Sequence, residues 1–462
     1  MSDPSIAASD PARSVWVAAN AGAGKTYTLA NRVARLLLAG TPPERILCLT
    51  FTKAAAAEMQ DRLFRQLGDW SMLDDAELTA KIAAIGGASD DLPKARRLFA
   101  QALETPGGLK VLTIHAFCQA VLARFPIEAG IAPAFDVLDE QSARTLAGEA
   151  RQTVLERAGS GDEVLTDAVS LLVRETGEAS LGALLDAGLG SDRRKLDRFF
   201  GSLEEEQAAR IRRAHGAPDE PAETVARDFC RALTLEIETL RESAAWLAGG
   251  KKTDHEHAAH LMAFAMAGEA GFVHLEDLFL TATGDPRKKL VTQKLAEARA
   301  DLADYLEKLQ QRFCAVHERW RAARAAALAD AVLTLLGAVR GAYDAAKRAR
   351  GMLDYDDLIG ATRALLEKRG AAAWVLYKLD RGIDHVLVDE AQDTSPEQWA
   401  ILRKLTEEFF AGEGVPRNVR TLFAVGDEKQ SIFSFQGADP TLFNVNRERF
   451  SDLAKCSLKY RI

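Results

Sequence analysis

The residues best suited to chemistry form three short groups that lie far apart in the chain. The first is Ala19-Asn20-Ala21-Gly22-Ala23-Gly24-Lys25-Thr26, between a short apolar run and a helical pattern. The second is the acidic pair Asp389-Glu390, and the third is Gln430. Each group follows an apolar run that predicts a buried strand. Because ligands bind outside the carboxyl ends of the strands in open parallel sheets, the three groups are expected to meet at one edge.

The first group has the composition of a phosphate-binding loop. Gly22 and Gly24 allow a tight turn in which backbone N–H groups point at phosphate oxygens. The helix that follows adds its positive N-terminal end, Lys25 adds a mobile cation, and the Thr26 hydroxyl can hold magnesium. A plain small-residue turn is the alternative, since Ala19 stands where the pattern usually has glycine. Gly-Lys-Thr at the helix start favours a nucleotide site formed by residues 19–26.

The acids and the glutamine supply the other parts of such a site. A carboxylate at a strand end is a suitable ligand for Mg²⁺, and Asp389 is placed for that role beside Thr26. Glu390 is placed to accept a proton from an attacking water. Gln430 is placed to contact the γ-phosphate or that water. The alternative is that the two acids merely cap the next helix.

Composition limits the class of protein. The 462 residues suffice for two or three domains, and the net charge of −8 argues mildly against a nucleic-acid partner. That argument is weak, because an acidic protein can carry a local basic channel. The five cysteines are scattered, which indicates neither a zinc nor an iron–sulfur site. With no signal peptide and no apolar run that spans a membrane, the sequence predicts a cytoplasmic protein without a membrane partner.

The pattern of residue types along the chain predicts three segments. Residues 1–126 alternate strands and helices, residues 127–350 are rich in helical patterns, and residues 351–462 return to the alternating texture. The predicted fold class is therefore α/β, a parallel sheet with helices on both faces, carrying a large and mostly helical insertion.

Five blocks stand in this order along the chain: residues 19–26, Leu49-Thr50-Phe51-Thr52 with residues 55–59, Thr113-Ile114-His115-Ala116-Phe117, Asp389-Glu390-Ala391-Gln392-Asp393-Thr394, and Val425-Gly426-Asp427-Glu428-Lys429-Gln430-Ser431-Ile432-Phe433. Together they resemble superfamily-one DNA helicases of the UvrD/Rep/RecB group. Two further stretches, Arg124-Phe125-Pro126-Ile127-Glu128-Ala129-Gly130 and Leu353-Asp354-Tyr355-Asp356-Asp357-Leu358-Ile359, look most like the AddA subunit of the bacterial helicase–nuclease.

The resemblance implies a RecA-like P-loop NTPase domain with a helical 1B subdomain. It implies ATP-dependent 3′-to-5′ movement on single-stranded DNA and unwinding of duplex ends in double-strand break repair and recombination. The cofactors would be ATP and Mg²⁺, and an AddB-like nuclease subunit would complete a heterodimer. Lys25 and Thr26 would bind phosphate and magnesium, with Asp389 as the magnesium acid. Glu390 would be the catalytic base, and Gln430 would couple the γ-phosphate to DNA.

Candidate DNA contacts follow several of the predicted strands. Phe433 and Phe435 are predicted to stack on bases, a contact that tolerates any sequence, although phenylalanine is also a common core residue. The basic run Lys347-Arg348-Ala349-Arg350 either lines the path of the strand or is a solvated helix end. His115 is equally suited to a structural hydrogen bond. The residues predicted to meet the phosphate backbone are Phe51, Thr52, Thr113 and His115.

The last residues, Leu458-Lys459-Tyr460-Arg461-Ile462, resemble the start of a further helicase motif in which an arginine, here Arg461, contacts the γ-phosphate. The family's second RecA-like domain and its nuclease domain would lie beyond them, so this chain alone is expected to bind nucleotide weakly and hydrolyse it slowly. One alternative is a non-catalytic module that holds single-stranded DNA or a partner. Another is a different P-loop class, such as an RNA helicase or GTPase, which the block around Gln430 disfavours.

Overall fold

The structure, a computed structural model, describes residues 4–18, 24–88, 91–106, 108–189, 193–380, 382–410, 419–427, 445–448 and 458–461. The chain divides into two compact units. We call Met1–Thr145 together with Ala345–Ile462 the α/β unit, and Leu146–Asp344 the helical unit. The sequence pattern had placed these boundaries near residues 126 and 350. Residues 127–145 therefore fold with the sheet-bearing part of the chain.

A parallel sheet organises the α/β unit. Among the described residues it has six strands in the order β3-β2-β6-β7-β1-β8, and a separate parallel pair joins β4 to β5. Buried parallel strands read as continuous apolar runs, which is why these segments were recognisable in the sequence. The strands are β1 (Val15–Ala18), β2 (Ile46–Thr50), β3 (Lys110–Thr113), β4 (Asp136–Val137), β5 (Met352–Leu353), β6 (His385–Val388), β7 (Thr421–Gly426) and β8 (Leu458–Arg461).

The register brings the carboxyl ends of the six strands to one edge. Ala18, the last residue of β1, pairs with Gly426 of β7 and with Arg461 of β8. Across the sheet, Thr50 of β2 pairs with Thr113 of β3. The predicted parallel sheet is thus confirmed, and the segments that follow these strands start from a common edge.

Helices cover both faces of the sheet, as predicted. One face packs against α2, α3 and α5 through residues such as Val33, Leu63 and Leu98. The other packs against α6, α19, α20 and α21 through residues such as Phe117 and Val375. The helices of this unit are α1 (Pro4–Ala8), α2 (Lys25–Leu38), α3 (Lys53–Met72), α4 (Asp75–Ala84), α5 (Leu92–Glu104), α6 (Ile114–Arg124), α7 (Pro126–Ala129), α19 (Tyr355–Glu367), α20 (Ala371–Asp380) and α21 (Pro396–Phe410).

The helical unit contains two apolar cores that share one long helix. Leu335 and Val339 of α18 lie in a core with α8, α9 and α10, whereas Leu309 and Phe313 lie in a core with α13 to α16. The helices are α8 (Glu140–Gly159), α9 (Glu163–Thr176), α10 (Glu178–Leu189), α11 (Arg193–Phe200), α12 (Glu204–His215), α13 (Ala222–Thr234), α14 (Ile237–Leu247), α15 (Lys252–Ala267), α16 (Phe272–Phe279), α17 (Gln293–Ala298) and α18 (Ala300–Arg350).

Helix α18 is continuous over 51 residues. In the described part of the chain it is the one helix long and apolar enough, by length and composition, to cross a membrane, and a third of its most apolar window is buried. From the sequence no run of that kind is expected, and the structure differs on this point. Its apolar residues Leu335, Leu336 and Val339 lie in the core of the helical unit, as in the core helix of a folded domain.

Candidate nucleotide-binding and catalytic site

The start of α2 presents the groups that a phosphate needs. Gly24 caps the helix in the left-handed conformation, with φ 79° and ψ 28°, a conformation that costs residues with a Cβ atom free energy. Its carbonyl oxygen accepts a hydrogen bond from the Thr28 backbone N–H at 2.9 Å. Lys25 is the first helical residue, followed by the half-buried Thr26. The predicted loop residues 19–23, Ala19 to Ala23, lie outside the described residues.

Lys25 meets Glu390 across 365 positions of sequence. Its Nζ atom lies 2.6 Å from Glu390 Oε2, and the lysine side chain is only 11% exposed. Glu390 follows β6 by two positions, so the contact joins the first and second α/β segments at the carboxyl edge of the sheet. The sequence predicts only that Lys25 and Glu390 lie at one edge of the sheet; the structure also joins them in a direct ion pair.

The backbone of Glu390 is strained. With φ 47° and ψ 49° it lies in the left-handed region, and within the described residues it is the one non-glycine residue with positive φ. Such a conformation costs about 1–3 kcal/mol and is typical of functional sites, where the surroundings enforce it. The backbone N–H of Glu390 donates a hydrogen bond to Asp389 Oδ1 at 3.0 Å.

Three carboxylates share this small region, and the pKa values reflect it. Burial, and then the negative charge of Glu390, raises the pKa of Asp389 to about 6. The same two causes raise the pKa of Asp393 to about 6. Asp393 Oδ1 is also buried and has no hydrogen-bond partner. The local negative charge therefore exceeds what the Lys25 ammonium offsets. Asp389 and the unpartnered Asp393 Oδ1 are hard oxygen donors of the kind that Mg²⁺ prefers.

Gln392 connects the acids to each other and to the next strand, a role that sequence reasoning missed. Its Nε2 donates to Glu390 Oε2 at 2.7 Å and to Asp393 Oδ2 at 3.1 Å. Its Oε1 accepts from the backbone N–H of Asp427, directly after β7, at 2.9 Å. The side chain is buried. Its place inside the block of residues 389–394 was the available signal.

The profile of the UvrD/REP helicase N-terminal domain matches residues 3–451 of the chain. The chain belongs to the UvrD/REP helicase family. Similar proteins, each named as the A-subunit of an ATP-dependent helicase/nuclease, come from Latilactobacillus sakei subsp. sakei, with 27% identity over 94% of this chain, and from Pelotomaculum thermopropionicum, with 28% identity over 95%. The chain spans 49% and 35% of those two proteins, respectively.

The predicted DNA contacts of this UvrD/REP family member occupy the ends of β2 and β3. Thr52 is exposed and caps α3, accepting from the Ala55 N–H at 3.0 Å. Thr113 caps α6 in the same way and is buried. Phe51 is half-buried. His115 lies in α6 with its ring edge-on to Tyr355 at 5.2 Å, and burial lowers the pKa of His115. A neutral imidazole contributes no charge toward a phosphate, so a contact from His115 would have to be a hydrogen bond.

The first residue of the basic run does not face solvent. Lys347 is buried, with its Nζ 2.6 Å from Asp354 Oδ2 and 2.5 Å from Asp357 Oδ2. Burial opposes its charge, but the two carboxylates more than compensate and raise the pKa of Lys347. Lys347 therefore fits neither alternative for the basic run, since it neither lines a path for DNA nor forms a solvated helix end. Its charge is used to hold the start of α19, where Asp354 and Asp357 form a capping box.

The remaining predicted site residues are only partly placed. Gln430, Phe433 and Phe435 lie outside the described residues. Arg461 pairs through its backbone with Ala18, the strand residue that leads into the phosphate loop, so it belongs to the same sheet edge as Lys25.

Proposed function

We propose that this chain forms the ATP-binding motor portion of an AddA-like DNA helicase that moves 3′ to 5′ on single-stranded DNA during double-strand break repair and recombination. The observation that carries the proposal is the ion pair between Lys25 and Glu390 at the carboxyl edge of the sheet, beside the buried Asp389. The relatives named for an ATP-dependent helicase/nuclease support the assignment to this branch of the family.

The residues divide the chemistry between them. The N-terminus of α2 and Lys25 bind the phosphates of ATP, since N–H groups and an ammonium are matched to phosphate oxygens. Thr26 and Asp389 hold Mg²⁺, which when bound offsets the charge of the phosphates. Lys25 leaves Glu390 for the γ-phosphate, and the freed carboxylate accepts a proton from the attacking water. In the same proposal, Gln430 and Arg461 contact the γ-phosphate.

The DNA partner is assigned to the same edge. Single-stranded DNA and duplex ends would meet Phe51, Thr52, Thr113 and His115 after β2 and β3, and would stack on Phe433 and Phe435. An AddB-like nuclease subunit is the proposed protein partner. The DNA proposal rests on the likeness to the helicase/nuclease relatives and on the placement of the four residues at the ends of β2 and β3. The proposal of a protein partner rests on that likeness alone.

ATP hydrolysis by the chain, with and without a single-stranded oligonucleotide at low salt, tests the proposal. Low salt matters because phosphate contacts weaken steeply as salt rises. Lys25→Ala and Glu390→Gln are expected to abolish DNA-stimulated hydrolysis. The matched controls are Lys81→Ala and Glu104→Gln, which change the same residue types at exposed positions of α4 and α5 and are expected to leave the rate unchanged.

Two further measurements separate the competing functions. Binding of nucleotide and DNA without turnover would favour a non-catalytic binding module over a motor. Direction is tested by displacement of streptavidin from biotin at either end of a single strand. Displacement from the 5′ end supports 3′-to-5′ movement, whereas displacement only from the 3′ end contradicts it.

A further inference from the structure

The buried side-chain amide of Gln392 joins three groups near Glu390, and the proposed mechanism assigns it no role. The side chain is 3% exposed and lies in the short 3₁₀ turn after Glu390. A primary amide has two N–H donors and one carbonyl oxygen, whose two lone pairs can accept hydrogen bonds. Here Nε2 donates to two carboxylates while Oε1 accepts from one backbone N–H. The hydrogens of the amide therefore have defined partners, which fixes its orientation.

The two carboxylates that the amide joins repel each other. The charge of Glu390 is one cause of the raised pKa of Asp393, after burial. A shared donor between like charges lowers the cost of bringing them together, and a hydrogen bond to a charged group is among the stronger ones in a protein. Without the amide, Glu390 would keep Lys25 as a partner but lose the contact that holds it toward Asp393.

The third contact ties this arrangement to a different strand. Asp427 directly follows β7, and its backbone N–H donates to Gln392 Oε1 at 2.9 Å. Glu390 follows β6, the neighbour of β7 in the sheet. A single side chain thus sets the distance between the carboxylate of Glu390 and the backbone at the end of β7.

We propose that Gln392 is a positioning residue that holds the Glu390 carboxylate in its reactive place and links it to the end of β7. The inference rests on the proposed function, because Glu390 needs positioning only if it acts on the attacking water. Residues that orient a reacting group in this way typically change activity by about 10–100-fold when they are replaced.

The test compares Gln392→Met and Gln392→Glu with the unchanged chain. Methionine keeps the approximate volume and loses all three hydrogen bonds. Glutamate keeps an acceptor for the Asp427 N–H but loses the donors. We expect kcat for ATP hydrolysis to fall about 10–100-fold in both variants, while the dissociation constant of a fluorescent ATP analogue changes less than about threefold.

Recovery of kcat on protonation distinguishes a loss of positioning from a general loss of folded structure. The introduced carboxyl group of the Gln392→Glu variant regains one donor when it is protonated. The ratio of that variant's kcat to that of the unchanged chain is therefore expected to rise as the pH is lowered from about 8 to about 6. The matched control is Gln398→Glu, a buried glutamine in α21 whose Oε1 accepts from the Ser395 N–H at 2.9 Å, a role that glutamate also fills. It is expected to keep kcat at every pH.

The outcomes separate this inference from the proposed function. An unchanged chain that neither binds nor hydrolyses ATP overturns both. Hydrolysis that is lost in Glu390→Gln but kept in both Gln392 variants overturns the positioning role alone. Equal losses of kcat and nucleotide binding, with no pH-dependent rescue, also overturn it, since that pattern indicates only a folding defect.

Discussion

Asp389→Asn is expected to make the chain more stable at neutral pH when no metal is present. Burial and Glu390 raise the pKa of Asp389 to about 6, against an ordinary value near 4, and one unit corresponds to about 1.4 kcal/mol. Ionised Asp389 therefore costs the folded state up to about 3 kcal/mol above pH 6. Asparagine carries no charge, and its Oδ1 can still accept from the Glu390 N–H, the contact made at 3.0 Å.

The sign follows from the direction of the shift. A carboxyl group whose folded pKa is raised binds protons more tightly in the folded state, so its cost is absent below about pH 4, grows between about pH 4 and 6, and is complete above that. The free energy of unfolding of the asparagine variant should thus exceed that of the unchanged chain by about 1–3 kcal/mol near pH 8, after allowance for relaxation around the charge. It should fall to about half near pH 5, where the native carboxyl is mostly protonated.

Urea denaturation in EDTA, followed by tryptophan fluorescence, measures this difference. Trp16 and Trp399 stack at 5.6 Å beside the sheet and report on the α/β unit. Asp61→Asn, at an exposed position of α3, is the control and should show no advantage at either pH. The reasoning is refuted if Asp389→Asn is less stable than the unchanged chain near pH 8, or if its advantage does not shrink near pH 5.

Three further predictions concern the charges and the turn around the site. Lys347→Met is expected to lower the free energy of unfolding by about 1.5–3 kcal/mol, because it removes the charged hydrogen bonds from the buried lysine to two partly buried aspartates; urea denaturation measures this. Gly24→Ala is expected to cost about 1–2 kcal/mol from its φ of 79° alone, since among the described residues the nearest atom to the added Cβ, in Tyr27, lies 3.8 Å away. Glu390→Gln is expected to tighten ATP binding about fivefold, roughly 1 kcal/mol, because Lys25 no longer pairs with a carboxylate; titration with a fluorescent ATP analogue measures this.

The two stability predictions among these each have a matched control. Lys308→Met removes an exposed ion pair within α18 and should change stability by less than about 1 kcal/mol. Gly148→Ala, in α8 with open space around the added Cβ, should stabilise the helix. Weaker ATP binding by Glu390→Gln, or a Lys347→Met variant as stable as the Lys308→Met control, would contradict the argument. A Gly24→Ala variant as stable as the Gly148→Ala variant would contradict the predicted cost of a side chain in the left-handed conformation at position 24.

The sheet and its edge could be predicted because parallel strands and their polar ends have local signatures. β2, β6 and β7 are apolar runs, and the Gly24-Lys25-Thr26 group stands at a helix start. At the start of α21, Ser395 and Gln398 exchange the hydrogen bonds of a capping box, a pattern that neighbouring residues alone encode. These features depend on a few neighbouring residues, so the sequence carries them directly.

The features that were missed depend on contacts between distant segments. Lys347 has the sequence context of a solvated helix end, and only the turn into α19 brings two aspartates against it. Gln392 looks like any polar residue of its block until β7 supplies the Asp427 N–H. The positive φ of Glu390 has no local residue signal at all, because glutamate rarely adopts it.

The position of β1 between β7 and β8 constrains how the chain can be made. The strand that leads into the predicted phosphate loop is synthesised well before either of its neighbours, β7 and β8. About 400 residues separate Ala18 from Thr421, which a ribosome needs roughly 20–80 s to add. Through that interval the apolar Val15, Trp16 and Val17 have no strand to pair with. A shortened gene product that stops before Thr421 would carry the whole phosphate-binding motif on a strand without neighbours, and would be exposed to aggregation for that reason.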